Sequence, residues 1–598
     1  MNRREFLGSA AALIPAVTTR VAAQAVLPFL RARPGDAAWP PGERWAEFNR
    51  DVGGQLIKVQ SPLAICADNP QSTACAEVFG KLKNSYAVGD DVALTENLGW
   101  VDAWTSQPSA YAIAARNTQD IVVAVNFTRE HNLRLVVKGG GHSYQGTSNA
   151  ADSLLVWTRN MKAIQMHDAF VAGGCADGPQ NAVTIEAGAL WGHVYDAVSV
   201  KGGRYVQGGG CLTVGVAGLV QGGGFGSFSK SYGMAAASLL QAEIVTADGV
   251  ARIANACTNP DLFWAIKGGG GGSFGIVTRL TLKTHDLPNF FGAANATIKA
   301  NSDDAYRRLI GQMMTFYAEN LLNPHWGEQI VLRSNNVLTI RMVFQGLDQA
   351  EATAAWRPFL EWVAASPQDF SFISKPLIIA VPGQRFWDAS FLKWAPGIVV
   401  ADDRPGAPEG NIVWAGDAPQ SGQVLHGFQS AWLPQSLLQP NRRERLTDAL
   451  FAATRHWTVE LHFNKGLAGA PAEAIAAAHD TSMNPSVCDA FALAIIAGGE
   501  GPAYPGIAGH EPNVANARRR GAAIDAAMKE LLKLVPNAGA YVSESNFFES
   551  DWQQSFWGTN YSRLLAIKNK YDPEGLFFVH HGVGSERWSD DGFARLAR

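Results

Sequence analysis

Three things are missing from this chain, and each absence removes a class of function. No apolar run is long and uncharged enough to span a bilayer, so the sequence reads as a soluble globular protein with no stable membrane insertion. Basic residues never gather into a run that could track a phosphate backbone, and the formal charge is −4, which excludes nucleic acid as a partner. Cysteines number six, at 66, 75, 175, 211, 257 and 488. Cys66 and Cys75 lie close together in a polar loop-like stretch and are either paired in an oxidising compartment or two free thiols; Cys175, Cys257 and Cys488 suggest no role. The third absence is one of order. In Asp261 to Thr278, DLFWAIKGGGGGSFGIVT, the glycines follow a helix-like segment and lead into a strand. A nicotinamide-binding loop needs strand, glycines, then helix, so that cofactor is disfavoured. No metal site is expected.

What is present begins with an export signal. Arg3-Arg4 precede Phe6-Leu7, an alanine-rich stretch follows, and Ala23-Gln24-Ala25 offers small residues for cleavage. Residues 1–25 are read as a twin-arginine signal for a periplasmic or secreted protein. A length of 598 residues suggests two domains. Residues 26–105, rich in Pro, Gly and Asp, read as a wrapping segment with short helices. From Tyr111 the pattern sharpens: YAIAA is a strand, Asn117 starts a helix and LRLVV is a second strand. Residues 182–190 form a strand, the next dozen an amphipathic helix, and 238–256 a hairpin closed by Asp248-Gly249. After Pro288, helices alternate with strands in an α+β domain with an antiparallel sheet. Along 457–464, Thr458, Glu460, His462 and Asn464 alternate with apolar residues, so one face is polar. That face, with His462 and Asn464, lines a substrate pocket or faces solvent. The loop 402–410, DDRPGAPEG, either covers the site or is a surface insertion.

Two glycine-rich stretches carry the chemistry. Leu135 to Gly146, LVVKGGGHSYQG, places His142 after three glycines at a strand end, where a backbone without Cβ atoms can turn its N–H groups toward a phosphate. Gly208 to Gly226, GGGCLTVGVAGLVQGGGFG, surrounds Cys211 with glycines and leads into a short helix over Gly215–Val220. Helix N-terminal N–H groups would lower the thiol pKa and favour a thiolate. Neither stretch alone separates a cofactor site from a buried structural His or Cys.

With Asp261–Thr278, Ala540–Phe547 (AYVSESNF) and Asn560–Phe578 (NYSRLLAIKNKYDPEGLFF), these stretches resemble, in order and spacing, the berberine-bridge-enzyme-like flavin oxidases of the vanillyl-alcohol-oxidase superfamily. The resemblance runs from about Ser106 to the end. It implies an α+β chain: a PCMH-type FAD-binding domain of two α/β subdomains over 106–287, a substrate domain over 288–536, and a C-terminal segment, 537–598, returning to the FAD domain. It implies FAD joined through its 8α-methyl to His142 and through C6 to Cys211. Gly139, Gly140, Gly141, Ser143 and Gly146 would take the pyrophosphate, and Gly222, Gly223 and Gly224 would line the ring. Thr213, Val214, Gly215, Gly218, Gln221, Ile276 and Val277 complete the implied cofactor set, and Asn560 and Tyr561 close the site. Three positions bear on its chemistry. Where many relatives have Y-x-N-Y, this chain reads Tyr541-Val542-Ser543-Glu544, so Glu544 is a base, a substrate-orienting acceptor or a structural carboxylate, with Tyr541 next as base. Leu219 replaces a histidine that tunes the ring, with Gln221 the nearest polar substitute. Val214 matches the oxygen-permissive form. The resemblance implies an oxidase that turns a sugar, phenolic or other secondary alcohol into a carbonyl compound and reduces O2 to hydrogen peroxide. A dehydrogenase serving a quinone or protein acceptor and a flavin-bearing protein without turnover are the alternatives. The oligomeric state is not legible.

Overall fold

A computed structural model of the chain describes residues 29–596 apart from 177. The signal expected over 1–25 lies outside the described residues. Three large sheets and a two-stranded ribbon organise an α+β molecule.

The first sheet has the strand order Leu56–Lys58, Tyr111–Ala114, Ser153–Trp157, Arg134–Lys138. Asn117 starts the helix Thr118–Glu130 as expected, its side-chain oxygen accepting the Asp120 N–H at 3.0 Å. Ile121, Ala124 and Val125 then face the sheet beside Trp45, Phe48 and Leu154. Tyr111–Ala114 and Arg134–Lys138 do not pair with each other; both lie parallel to Ser153–Trp157, which enters between them. The glycines before His142 therefore leave the C-terminal end of an edge strand, the end where parallel sheets receive ligands.

The second sheet runs Ala251–Asn255, Leu239–Val245, Ile276–Asp286, Gln180–Glu186, Ile164–Phe170, all antiparallel, with Arg204–Val206 added beside Ile276–Asp286. The hairpin closes as expected, with Gly249 at φ +75° and the Thr246 hydroxyl donating to Asp248. The helix Pro260–Ile266 precedes the glycines that enter Ile276–Asp286, so the inverted order stands. Cys175 and Cys257, given no role from sequence, form a disulfide joining loops that leave opposite edges of this sheet. Cys66 and Cys75 are also bridged. Cys211 and Cys488 are free among the described residues.

The third sheet has nine strands in the order 370–382, 290–300, 337–345, 326–333, 459–462, 490–500, 423–434, 97–100, 104–105. Helices Asp303–Phe316, Gln349–Ala364, Pro440–Thr454 and Val514–Leu532 bury one face of it, with Leu309, Trp356, Leu450 and Ile524 in the common core. The opposite face turns toward the other two sheets. Segment 26–105 does more than wrap: its strands 97–100 and 104–105 extend this sheet, Asn97–Trp100 lying parallel to Gln423–Pro434. The C-terminal segment comes back to the first two sheets. Phe577 bridges to Leu135, and the buried Lys568 ammonium donates to Ser273 O at 2.6 Å, Phe577 O at 2.7 Å and Asp572 at 2.7 Å. No helix among the described residues is long and apolar enough to cross a membrane.

Candidate active site

A cavity of about 1040 Å³ opens where the three sheets converge. Much of its wall is backbone. Gly139, Gly140 and Gly141, Gly215 and Gly218, and Gly270, Gly271 and Gly272 form its wall with Ser143, Val214 and Val277. The loops carrying His142 and Cys211 touch backbone to backbone: a Cβ on Gly140 would lie 2.6 Å from Gly215 N, and one on Gly215 would lie 2.7 Å from Gly140 N. Two residues far apart in sequence thereby reach one cavity. Gln145 ties the His142 loop to the C-terminal segment, its side-chain N–H donating to Ser545 O at 2.8 Å.

The wall offers unpaired polar atoms. His142 Nε2, Gln145 Oε1, Gln221 Oε1, Ser273 Oγ and His581 Nδ1 are buried, line the cavity and have no hydrogen-bond partner among the described residues. Buried polar atoms are almost always paired, so this wall is completed by a polar ligand. A cavity walled by glycine backbone, with unpaired polar atoms in its lining, fits FAD, whose phosphates need close backbone approach and whose ring edge needs scattered hydrogen bonds.

Other residues expected at the cofactor lie behind this wall. Gly146 packs on the Trp104 ring, and Gly223 and Gly224 pack on Met483 and Leu219. Gly222 sits against the Ser543 hydroxyl and the Tyr541 hydroxyl. Ile276 points into the core of the first sheet while its neighbour Val277 faces the cavity, as alternation along a strand requires. Asn560 donates to Met483 O at 2.7 Å, and the Tyr561 hydroxyl donates to Glu586 at 2.7 Å, so both brace the frame. Thr213 is buried under the Cys211 loop, its Oγ1 3.6 Å from the sulfur.

The rest of the cavity lining carries charge. Val459 and Leu461 point into the helical core while Glu460 and His462 face the cavity, which settles the polar face of that strand. His462 Nε2 lies 3.2 Å from Glu460. Burial works to raise the Glu460 carboxyl, but His462, Arg341 and Lys465 outweigh it and hold it below its ordinary value. Asn464 lines the wall and donates to Gly226 O at 3.2 Å, leaving its Oδ1 unpaired among the described residues. Glu544 is here too, both oxygens bound by the Lys465 ammonium at 2.6 and 2.5 Å. Tyr541 lines the cavity as well, but its hydroxyl accepts the Gly224 N–H at 3.3 Å. Burial, with Glu544 adding to it, pushes that phenol well above its usual range, which makes it a poor proton acceptor at neutral pH. Lys465, Glu328, Arg341 and Asp417 were not anticipated. Lys465 directly follows the polar strand face and was within reach of that pattern; the others come from separate strands and a turn with no local signature.

One expectation fails. The helix Val216–Gln221 does form after Cys211, but it does not lower the thiol. Burial pushes the Cys211 thiol far up, and the Asp417 carboxylate pushes it further. The first helical N–H, from Val216, is spent on Ala189 O at 3.0 Å, and desolvation dominates what remains. The loop 402–410 does not cover the site. Asp402 binds Arg404, Asn411 and Asn84, and Arg404 reaches Asp90, so the loop docks on the 84–90 segment outside the cavity wall.

Residues 108–255 match the family model described as FAD binding domain, and 540–584 the one described as berberine and berberine like. A VAO-type flavoprotein oxidase of Thermothelomyces thermophilus is 29% identical over 609 residues, covering 96% of each chain. An FAD-linked oxidoreductase of Neocamarosporium betae is 29% identical over 610 residues, with 96% of each chain covered. Among solved structures, a VAO-type flavoprotein from Myceliophthora thermophila superposes with a TM-score of 0.77 at 26% identity, over 95% of this chain and 100% of that one. A glucooligosaccharide oxidase from Acremonium strictum, described with a 6-S-cysteinyl, 8α-N1-histidyl FAD, shares the fold at a TM-score of 0.62 and 20% identity, over 80% of this chain and 92% of that one. With an FAD-binding domain and a berberine-like segment meeting at one cavity, the chain is similar along nearly its whole length to VAO-type flavoprotein oxidases and FAD-linked oxidoreductases.

Proposed function

We propose that the chain is an exported oxidase that carries FAD on two covalent bonds, from His142 to the 8α-methyl carbon and from Cys211 to C6, and that it turns an alcohol into a carbonyl compound with release of hydrogen peroxide. The observation that carries this reading is the convergence of His142 and Cys211 on one glycine-walled cavity that also holds the Glu544–Lys465 pair. When bound, FAD supplies a hydride acceptor at N5 and a route for the electrons to dioxygen. The chain's own residues do the rest. Glu544 takes the hydroxyl proton of the substrate, and Lys465 fixes the carboxylate by two contacts so that one orientation is presented. Glu460, His462 and Asn464 offer polar partners to further hydroxyls of a sugar, phenolic or secondary alcohol. Val214 on the wall and a relative named as an oxidase support dioxygen as acceptor. Export rests on Arg3-Arg4 and the apolar stretch behind them, and the two disulfides agree with an oxidising compartment.

Acid precipitation tests the attachment. His142→Ala and Cys211→Ala should each leave a yellow pellet, and the double variant a colourless one; complete loss of flavin from Cys211→Ala alone would show His142 unattached. Turnover under air should release peroxide in step with substrate. Turnover seen with an artificial acceptor but without peroxide would make the protein a dehydrogenase.

A further inference from the structure

The unfavourable position of the Cys211 thiol raises the question of where its proton goes. A buried thiol that stays protonated is a weak nucleophile, and the helix behind it gives no help.

The side chain placed to take that proton is Asp417. It lies on the turn after the short strand Ile412–Trp414, and this turn is fastened over the Cys211 loop. The Trp414 indole N–H donates to Gly210 O at 3.0 Å, and the Asp417 N–H returns to Trp414 O at 2.9 Å. Asp417 and Cys211 line the same cavity, and the Trp414–Gly210 bond holds the Asp417 turn against the residue next to the sulfur. Thr213 Oγ1, 3.6 Å from the sulfur, can donate to it once the S–H is gone. The nearby carboxylates are less suited. Glu328 accepts the Ser227 hydroxyl at 2.5 Å, and Glu96 accepts the Ser85 hydroxyl at 2.7 Å and is not on the cavity wall. Among the described residues, the side-chain oxygens of Asp417 receive one long contact, from Gln420 at 3.5 Å.

We propose that Asp417 is the proton acceptor for Cys211 when the sulfur bonds to flavin C6, and so a catalytic residue of the protein's own flavin attachment. The step rests on the two-bond reading given above. The S–H proton passes to the Asp417 carboxylate, the sulfur electron pair forms the S–C6 bond, and the C6–H proton is lost. The two electrons left in the ring leave to dioxygen, which becomes hydrogen peroxide. Thiol, flavin C–H and dioxygen are consumed; thioether and peroxide are formed. The charges around Asp417 suit the task. Burial raises its carboxyl to about 6, Glu328 and Glu96 add to the rise, and the Cys211 thiol and Lys465 oppose it. It is ionised at neutral pH and still basic enough to accept a proton.

The test reads the bond itself. Proteins are expressed with flavin, acid-precipitated and digested, and the Cys211 and His142 peptides are weighed for attached flavin. In wild type both peptides should carry the mass of the cofactor. Asp417→Asn should keep flavin on His142, which shows that the variant folds and binds, while the Cys211 bond forms about a hundredfold more slowly, as loss of a general base predicts. In the His142→Ala background the same change should leave most flavin unattached. Asp417→Ala should be rescued by added acetate or formate, and Asp417→Glu should restore part of the rate; a merely structural aspartate would give neither. A Cys211 peptide as fully flavinylated in Asp417→Asn as in wild type overturns the proposal. A wild-type Cys211 peptide with no flavin overturns the two-bond reading and this proposal with it; the first failure shows the flavin mass on Cys211 in both proteins, the second in neither.

Discussion

A single methyl group at position 140 should separate the two flavin-bearing loops. Built onto Gly140, a Cβ would stand 2.6 Å from Gly215 N, 3.1 Å from Gly215 Cα and 3.1 Å from Thr213 O. Those atoms are backbone on the Cys211 loop and cannot rotate away as a side chain would. Restoring an ordinary contact of about 3.5 Å requires the loops to part by roughly 0.9 Å, and overpacking of this kind costs about 1–3 kcal/mol. Spread over a chain of this size, such a cost moves the unfolding midpoint by only about 1–2 °C. The geometry is far more sensitive, because a displacement of about 1 Å between reacting groups can slow a step about a hundredfold. Gly140→Ala should therefore be well folded yet carry flavin on one of the two residues, read from the masses of the His142 and Cys211 peptides. The control is Gly80→Ala, outside the cavity wall, where a Cβ meets nothing within 4 Å. If Gly140→Ala links both residues as completely as wild type, the loops are not held at a fixed distance by this contact and the reasoning is wrong.

Glu544→Gln should lower kcat by about 10²–10⁴ while flavin stays attached, and Tyr541→Phe should cost less than tenfold by comparison; the reverse order in peroxide assays would move the base to Tyr541. Loop-closure entropy makes the Cys175–Cys257 bridge, which spans 82 residues, worth about 4–5 kcal/mol, and the Cys66–Cys75 bridge, spanning 9, about 2–3. Paired serine variants compared by denaturant unfolding should rank in that order. Burial, with His580 beside it, lowers His581 to about 3. Between the ordinary histidine value and 3 the unfolded chain binds the extra proton, so stability should fall as pH drops from about 6.5 toward 3. His581→Asn, which tolerates the left-handed φ of 51° at this position, should make that fall shallower; an unchanged slope would show that His581 is not held neutral.

The elements that sequence alone determined are those whose cause lies within a few residues. Asn117 caps its helix, Asp248-Gly249 turns its hairpin, and the period-two pattern through Glu460 and His462 sorts the strand into a core face and a polar face, because each depends on neighbours one to four positions away. The glycine loops announced themselves in the same way, since no other residue permits that backbone to lie so close to another chain segment. What only the tertiary structure decided depends on partners that spacing does not specify. Cys175 meets Cys257 because two sheet edges are spanned by one loop. Lys465 meets Glu544 from 79 residues away. Strands 97–100 and 104–105 leave their own neighbourhood to extend a sheet built from the second half of the chain. The thiol of Cys211 shows the difference most directly: the helix after it was legible and is there, but the charge state of a sulfur is set by everything that removes water around it, and burial together with Asp417, more than two hundred residues later, outweighs a short helix whose first N–H is already bonded.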